Sequence, residues 1–432
     1  MNTRHTTPAL ALLALALACT RPASADEFDP DKHIGGDWGG TRSALADDGF
    51  QFKLGHFSQT AHNTSGGQSH ETAYADQFFL GGYFDLEKLW GWSGAEFKVE
   101  ITNRNGELIN NKADIPTLLQ SQQIYGRGTV TRLTQFSLTQ HLFDDRLSIK
   151  VGRLYPDADF FAISCNFQHL TFCSGGSSNN ISSNWYGSPL SSLGGVVVFS
   201  PNAQWSFKVG GYDTNPETLS KNQGLKLGTS GDDSGTLMVG EVQFKPDYGN
   251  GIDGEYRIGV TRNSSNREKV FNQAGFPTGT TADAAIIQNT DHAFYADFEQ
   301  QVIRTGEDGG LRLFASIIRA DDEVAAVSEV AAIGGFWTGI FPGRPADRLG
   351  LAFGRNAVSD KLSDAQRNYD RNLPAGASGI GVQRYEYPIE LNYNFSVVRG
   401  IEVMPSVQYV RHPGGLDGDN ATILGLQVSL DF

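Results

Sequence analysis

The sequence predicts an all-β protein: a transmembrane, antiparallel, up-and-down β-barrel of about sixteen strands. Three observations predict it. An export signal opens the chain, two-residue alternation recurs to its last residue, and short and long connections take turns between the alternating segments.

The signal comes first. Arg4 and His5 form a short charged region, Pro8 to Cys19 is an apolar run, and Ala23-Ser24-Ala25 is a small-residue cleavage site. Three parts are therefore expected: a signal peptide at 1–25, a periplasmic N-terminal segment at 26–49, and a barrel at 50–432. Ala16-Leu17-Ala18-Cys19 departs from a lipoprotein box at its first position, where Leu is usual. Past Ala25 no stretch approaches the length of apolar chain that a membrane-spanning helix requires. The mean hydropathy of −0.31 suits a barrel, because only alternate residues of each strand face lipid.

The strands follow from alternation. Leu424, Leu426, Val428, Leu430 and Phe432 share one face, with Gly425, Gln427, Ser429 and Asp431 on the other. The segments 95–104, 254–262, 385–395 and 401–409 alternate in the same way. Candidate strands lie near 50–59, 77–86, 95–104, 129–140, 146–154, 193–200, 204–212, 236–245, 254–262, 290–302, 311–319, 333–341, 347–356, 384–395, 401–410 and 423–432. The links at 87–94, 141–145, 201–203, 246–253, 303–310, 342–346 and 396–400 are short. Those at 60–76, 105–128, 155–192, 213–235, 263–289, 320–332, 357–383 and 411–422 are long. Short periplasmic turns opposite long external loops are the rhythm of a transmembrane barrel, and a soluble sandwich has no reason to keep it.

Composition narrows the function. The net charge of −14 becomes −16 once the signal removes Arg4, Arg21 and no acid, which opposes nucleic-acid binding. Cys165 and Cys173 remain, and in an exported chain a disulfide is their default; a metal site is the rival, with His169 between them. The loop 155–192 that carries them either folds inward to narrow the lumen or stays outside as a stapled external loop. No nucleophile motif or phosphate-cradling loop is present, so neither an enzyme nor a cofactor is expected.

An ordered set of motifs adds a resemblance. These are Gly36-Asp37-Trp38-Gly39-Gly40-Thr41-Arg42, Thr102-Asn103-Arg104-Asn105-Gly106, Val151-Gly152-Arg153-Leu154 and Cys165-Asn166-Phe167-Gln168. Further on come Tyr212-Asp213-Thr214-Asn215-Pro216, Pro342-Gly343-Arg344-Pro345 and Pro405-Ser406-Val407-Gln408-Tyr409-Val410. Together they resemble the carbohydrate-selective porins of the OprB type. The resemblance implies a bacterial outer-membrane location, sixteen strands, and facilitated diffusion of glucose and similar small sugars. Gln135 departs from the acid expected there, which leaves the individual sugar open. The alternatives are a general or anion-selective porin and, from another class, a secreted glycan-binding β-domain.

Parity places Lys98, Glu100 and Arg104 on the lumen face, together with Glu241, Arg257, Asp297 and Glu390. Arg153 shares parity with outward residues, so it either turns inward at Gly152 or sits at the rim. Arg344 is expected to hold Asp347, and 41–48 to form a short helix signalled by Asp37. The expected partners are sugars, outer-membrane lipid and the machinery that reads a terminal strand ending at Phe432; a homotrimer is common at this size.

Overall fold

A computed structural model describes residues 28–126, 128–162, 165–173, 185–228, 235–248, 252–306 and 309–432. The expected signal peptide lies outside the described residues. Among the described residues eighteen strands follow one another, sixteen of them in a single closed barrel. They are β1 (Phe50–Ser65), β2 (Thr72–Asp85), β3 (Ala95–Gly106), β4 (Val130–Leu142), β5 (Leu147–Leu154) and β6 (Ser192–Phe199). Next come β7 (Trp205–Asp213), β8 (Thr236–Phe244), β9 (Gly254–Asn263), β10 (Arg267–Asn272), β11 (Ala285–Gln288) and β12 (Asp291–Thr305). The last are β13 (Gly309–Ala320), β14 (Val327–Thr338), β15 (Arg348–Val358), β16 (Tyr385–Val398), β17 (Ile401–Arg411) and β18 (Ala421–Asp431). Each barrel strand pairs antiparallel with its neighbours, and β1 closes on β18 from Gly55↔Asp431 to Ser65↔Thr422. Closure leaves no open sheet edge, which the hydrocarbon interior of a membrane demands.

The pleat explains the two faces. Leu424, Leu426, Ile258, Val260, Phe353 and Ile333 point outward and stay exposed, as a lipid-facing band requires. Near the short-turn end, rings pack from strand to strand: Phe50–Phe84 at 5.0 Å, Phe84–Phe97 at 5.9 Å and Trp205–Phe244 at 4.4 Å between centroids. This is the aromatic girdle of a membrane interface.

Four local expectations are corrected. The loop at 60–76 shrinks to 66–71 because β1 and β2 continue outward, and that at 320–332 shrinks to 321–326. In β1 and β2 the inner face of these extensions is buried in one cluster with Ile109 and Ile115 of a long loop, and it carries small or polar residues, Ala61, Asn63, Ala73 and Ala75, so hydrophobic alternation does not mark them. The loop 263–289 holds the β10–β11 hairpin, and 357–383 holds a helix, Asp360–Arg371, whose N-cap Ser359 accepts from Lys361 and Leu362 N–H. The short helix Thr41–Asp47 does form, with Asp37 accepting from the Ser43 N–H and hydroxyl. Arg344 Nε reaches Asp347 at 2.6 Å.

Candidate functional site

The described parts of loop 155–191, residues 155–162, 165–173 and 185–191, fold into the barrel. Phe160, Phe161 and Trp185 are buried and pack with Tyr212 and Tyr295 of the wall, and the buried Tyr186 donates its hydroxyl to the Asn215 carbonyl at 3.0 Å. Phe167 and Phe172 pack with Phe314, Ala332 and Ala352. Cys165 and Cys173 are joined, closing the turn that carries Phe167 to Phe172.

Wall carboxylates hold this loop by its backbone. Glu390 accepts from Gln168 N–H at 2.8 Å and His169 N–H at 2.7 Å. Glu241 accepts from Phe161 N–H at 2.7 Å and the Tyr295 hydroxyl at 2.8 Å. A second loop, 107–129, is held likewise: Leu118 N–H donates to Glu386 at 2.7 Å, and Gln408 Nε2 donates to the Ser121 carbonyl at 2.9 Å. The loops then bond each other, Gln123 N–H to the Gln168 carbonyl at 3.0 Å and Leu170 N–H to the Gln120 carbonyl at 2.9 Å. Charge-assisted bonds to backbone fix a loop more tightly than neutral ones.

Open space remains against β1–β4. A vestibule of about 1260 Å³ is bordered by Lys53, Tyr83, Lys98, Glu100, Gln135 and Tyr155, with Phe28 to His33 crossing its lower end. Register builds its wall. Lys53, Gly81, Glu100 and Gln135 lie directly opposite one another on four successive strands. Gly81 carries no side chain between the two charges, so Lys53 Nζ reaches Glu100 Oε2 at 2.9 Å. The next row is Gln51, Tyr83, Lys98 and Ser137, with Lys98 Nζ 5.2 Å above the Tyr83 ring. Burial, with Glu100, Asp157 and Asp159 close by, raises the Tyr155 hydroxyl far above its ordinary range, so it is a donor.

The facing wall carries paired charges: Arg257–Asp297 and Arg257–Glu255, both at 2.7 Å, Lys208–Glu241 at 2.9 Å, and Arg312–Glu299 at 3.3 Å. Of the seven lumen residues singled out by parity and Arg153, which parity left open, Lys98 and Glu100 border the vestibule. Arg104, Arg153, Glu241, Arg257, Asp297 and Glu390 are buried. Arg104 donates to Gln77 at 2.7 Å and to the Ser188 carbonyl at 3.2 Å. Arg153 donates to Ser191 at 2.8 Å; Gly152 sits at φ 141°, and the register through it is unbroken, so a glycine twist rather than an inserted residue buries the side chain.

Lys53, Tyr155, Lys208, Arg312 and Arg348 were missed. Parity alone could have found Lys53, which sits between Phe52 and Leu54. Arg348 faces inward beside Phe336, 5.6 Å from its ring, and forms no ion pair among the described residues.

A family model described as "Carbohydrate-selective porin, OprB family" matches residues 69–432. The chain is 34% identical to Porin B of Pseudomonas aeruginosa, over 98% of this chain and 96% of that one. It is 29% identical to the putative porin QuiX of Acinetobacter baylyi, over 98% and 99%. The high-pH structure of Pseudomonas putida OprB superposes with a TM-score of 0.87 at 34% identity, covering 93% of this chain and 98% of that one.

Proposed function

We propose, for a chain that belongs to the carbohydrate-selective porin (OprB) family, a division of labour among the charges of its lumen. The protein is an outer-membrane channel for sugars and not an enzyme. The vestibule residues handle the sugar; the buried wall residues shape the channel that the sugar meets.

A sugar is neutral and covered in hydroxyls. A channel favours it by replacing its water hydrogen bonds during passage. Ionised groups make the stronger bonds. Lys53 and Lys98 donate, Glu100 accepts, and Gln135 does both. Tyr83 and Tyr155 offer ring faces to the apolar side of the pyranose. Lys53–Glu100 and Lys98–Glu96, at 2.9 and 3.6 Å, balance the field, so an ion gains little. An anion channel would instead need a ladder of uncompensated cations. Binding must stay weak for transit to be fast.

Glu241, Glu386 and Glu390 then act as struts, with Arg104 and Arg153 tying the loop ends. The short-turn end, with Phe28 to His33, is the periplasmic mouth, and the strand ending at Phe432 is the segment that the assembly machinery reads. One observation carries this reading: the Lys53–Glu100 pair borders open space, whereas Glu390 is sealed beneath the inward loop. Single-channel conductance in planar bilayers, titrated with glucose, tests it. Glucose should block the current of the native protein, and Lys98→Ala with Glu100→Ala should weaken that block at unchanged open conductance. Equal block in the variant would refute the assignment.

A further inference from the structure

The outer surface of the barrel changes character at its long-loop end. Below, the lipid-facing wall is apolar. At the upper ends of the strands it carries outward basic residues: Arg262 on β9, Arg319 on β13, Arg355 on β15 and Arg411 on β17, with His292 on β12 lying 3.5 Å from Asp321. Register aligns them, with Arg262 opposite His292 and Arg319 opposite Glu329. Glu329 bonds both Arg319 and Arg355, so that trio keeps one net positive charge.

Beside it, over β15–β17, a groove of about 970 Å³ opens on the same face. Its lower wall is Phe353, Ile389, Tyr387 and Tyr409, and its upper wall holds Arg384, Arg411 and His412. Arg384 and Arg411 are exposed, and neither meets a carboxylate among the described residues. Arg411 Nε donates to His412 Nε2 at 3.2 Å. The acid at the groove's edge, Asp417, lies 3.6 Å from His412 and is fully exposed. Arg355 adds a third guanidinium over the Tyr385 ring at 5.1 Å.

We propose that this groove binds the phosphorylated glycolipid of the outer leaflet. It presents an apolar floor at membrane depth and unpaired guanidinium groups just above, in the order in which such a lipid presents acyl chains and phosphates. Planar guanidinium groups take phosphate oxygens two at a time, which distinguishes this surface from a general interfacial girdle. The occupant is therefore an anionic amphiphile and not a second copy of this chain, whose corresponding surface carries the same positive charge.

The test uses the full-length protein in detergent micelles with bisphosphorylated lipid A as probe. Tryptophan-independent binding is read by native mass spectrometry. Arg384→Gln and Arg411→Gln should each weaken retention about tenfold, the amount that a lost charge-assisted bond supplies. Sugar-driven swelling of liposomes should be unchanged in both variants, which shows that the barrel is folded. Equal retention of dephosphorylated lipid A, or unaltered retention in the double variant, would overturn the proposal. Displacement of the probe by millimolar inorganic phosphate alone would also overturn it, because the acyl floor would then contribute nothing. So would a loss of dimers or trimers in the double variant at constant lipid retention, since the face would then be an interface between copies.

Discussion

Glu390 accepts the backbone N–H of His169, 221 residues earlier in the chain, at 2.7 Å inside the barrel. The same carboxylate takes the Gln168 N–H and the Asn392 amide. One buried acid of the wall thus fixes the tip of a loop that enters from the far end of the lumen.

Glu390→Ala should release that tip. Leaving buried donors unmatched costs about 1–3 kcal/mol each. The barrel should still form, since no strand pairing depends on this side chain. Liposome swelling with di- and trisaccharides should rise relative to glucose, and an unchanged size cutoff would count against a strut.

Phe167→Ala should act on the same loop through packing. Phe167 fills space between Phe172, Phe314 and the small Ala332 and Ala352. Large-to-small changes at such sites cost about 3–5 kcal/mol. The expected readout is a raised open conductance with current noise, while heat-modifiable migration in gels stays that of a folded barrel.

His169 makes the loop sensitive to acid. Burial lowers its pKa from 6.5 to about 3, so the folded loop favours the neutral ring. A folded value below the unfolded one means that stability is complete above about 6.5 and is lost as pH falls towards about 3. Protease cleavage within the inward loop should increase across that window. His169→Gln should flatten the response; equal cleavage at pH 7 and pH 4 in the native protein would contradict it.

Arg348→Ala should lower the glucose block without opening the pore. Its guanidinium faces the lumen beside Phe336 and is not committed to holding either loop. A change in size cutoff instead of glucose block would make Arg348 another strut.

The barrel was legible because lipid imposes a period of two wherever a strand crosses it, as in Leu424 to Phe432. The inward side was less legible. Parity put Glu390 and Glu100 on the same face, yet parity does not say whether that face meets water or a folded-in loop. The covering chain, Gln168 and His169, lies more than two hundred residues from Glu390. Arg153 was ambiguous for another reason: Gly152 departs from strand geometry, so counting by twos fails there. The helix at Asp360–Arg371 buries Ser363, Ala365 and Gln366, a small and polar face rather than an apolar stripe, so its inward side carries little hydrophobic signal.

The most direct test of the central claim is liposome swelling at matched osmolarity, comparing glucose with an amino acid and phosphate of similar size. The native protein should swell fastest with glucose, the Lys98→Ala/Glu100→Ala variant should lose that preference, and Glu390→Ala should keep it while admitting larger sugars. Equal rates for all solutes in the native protein, or the reverse pattern in the two variants, would contradict the division between sugar-handling and loop-holding residues.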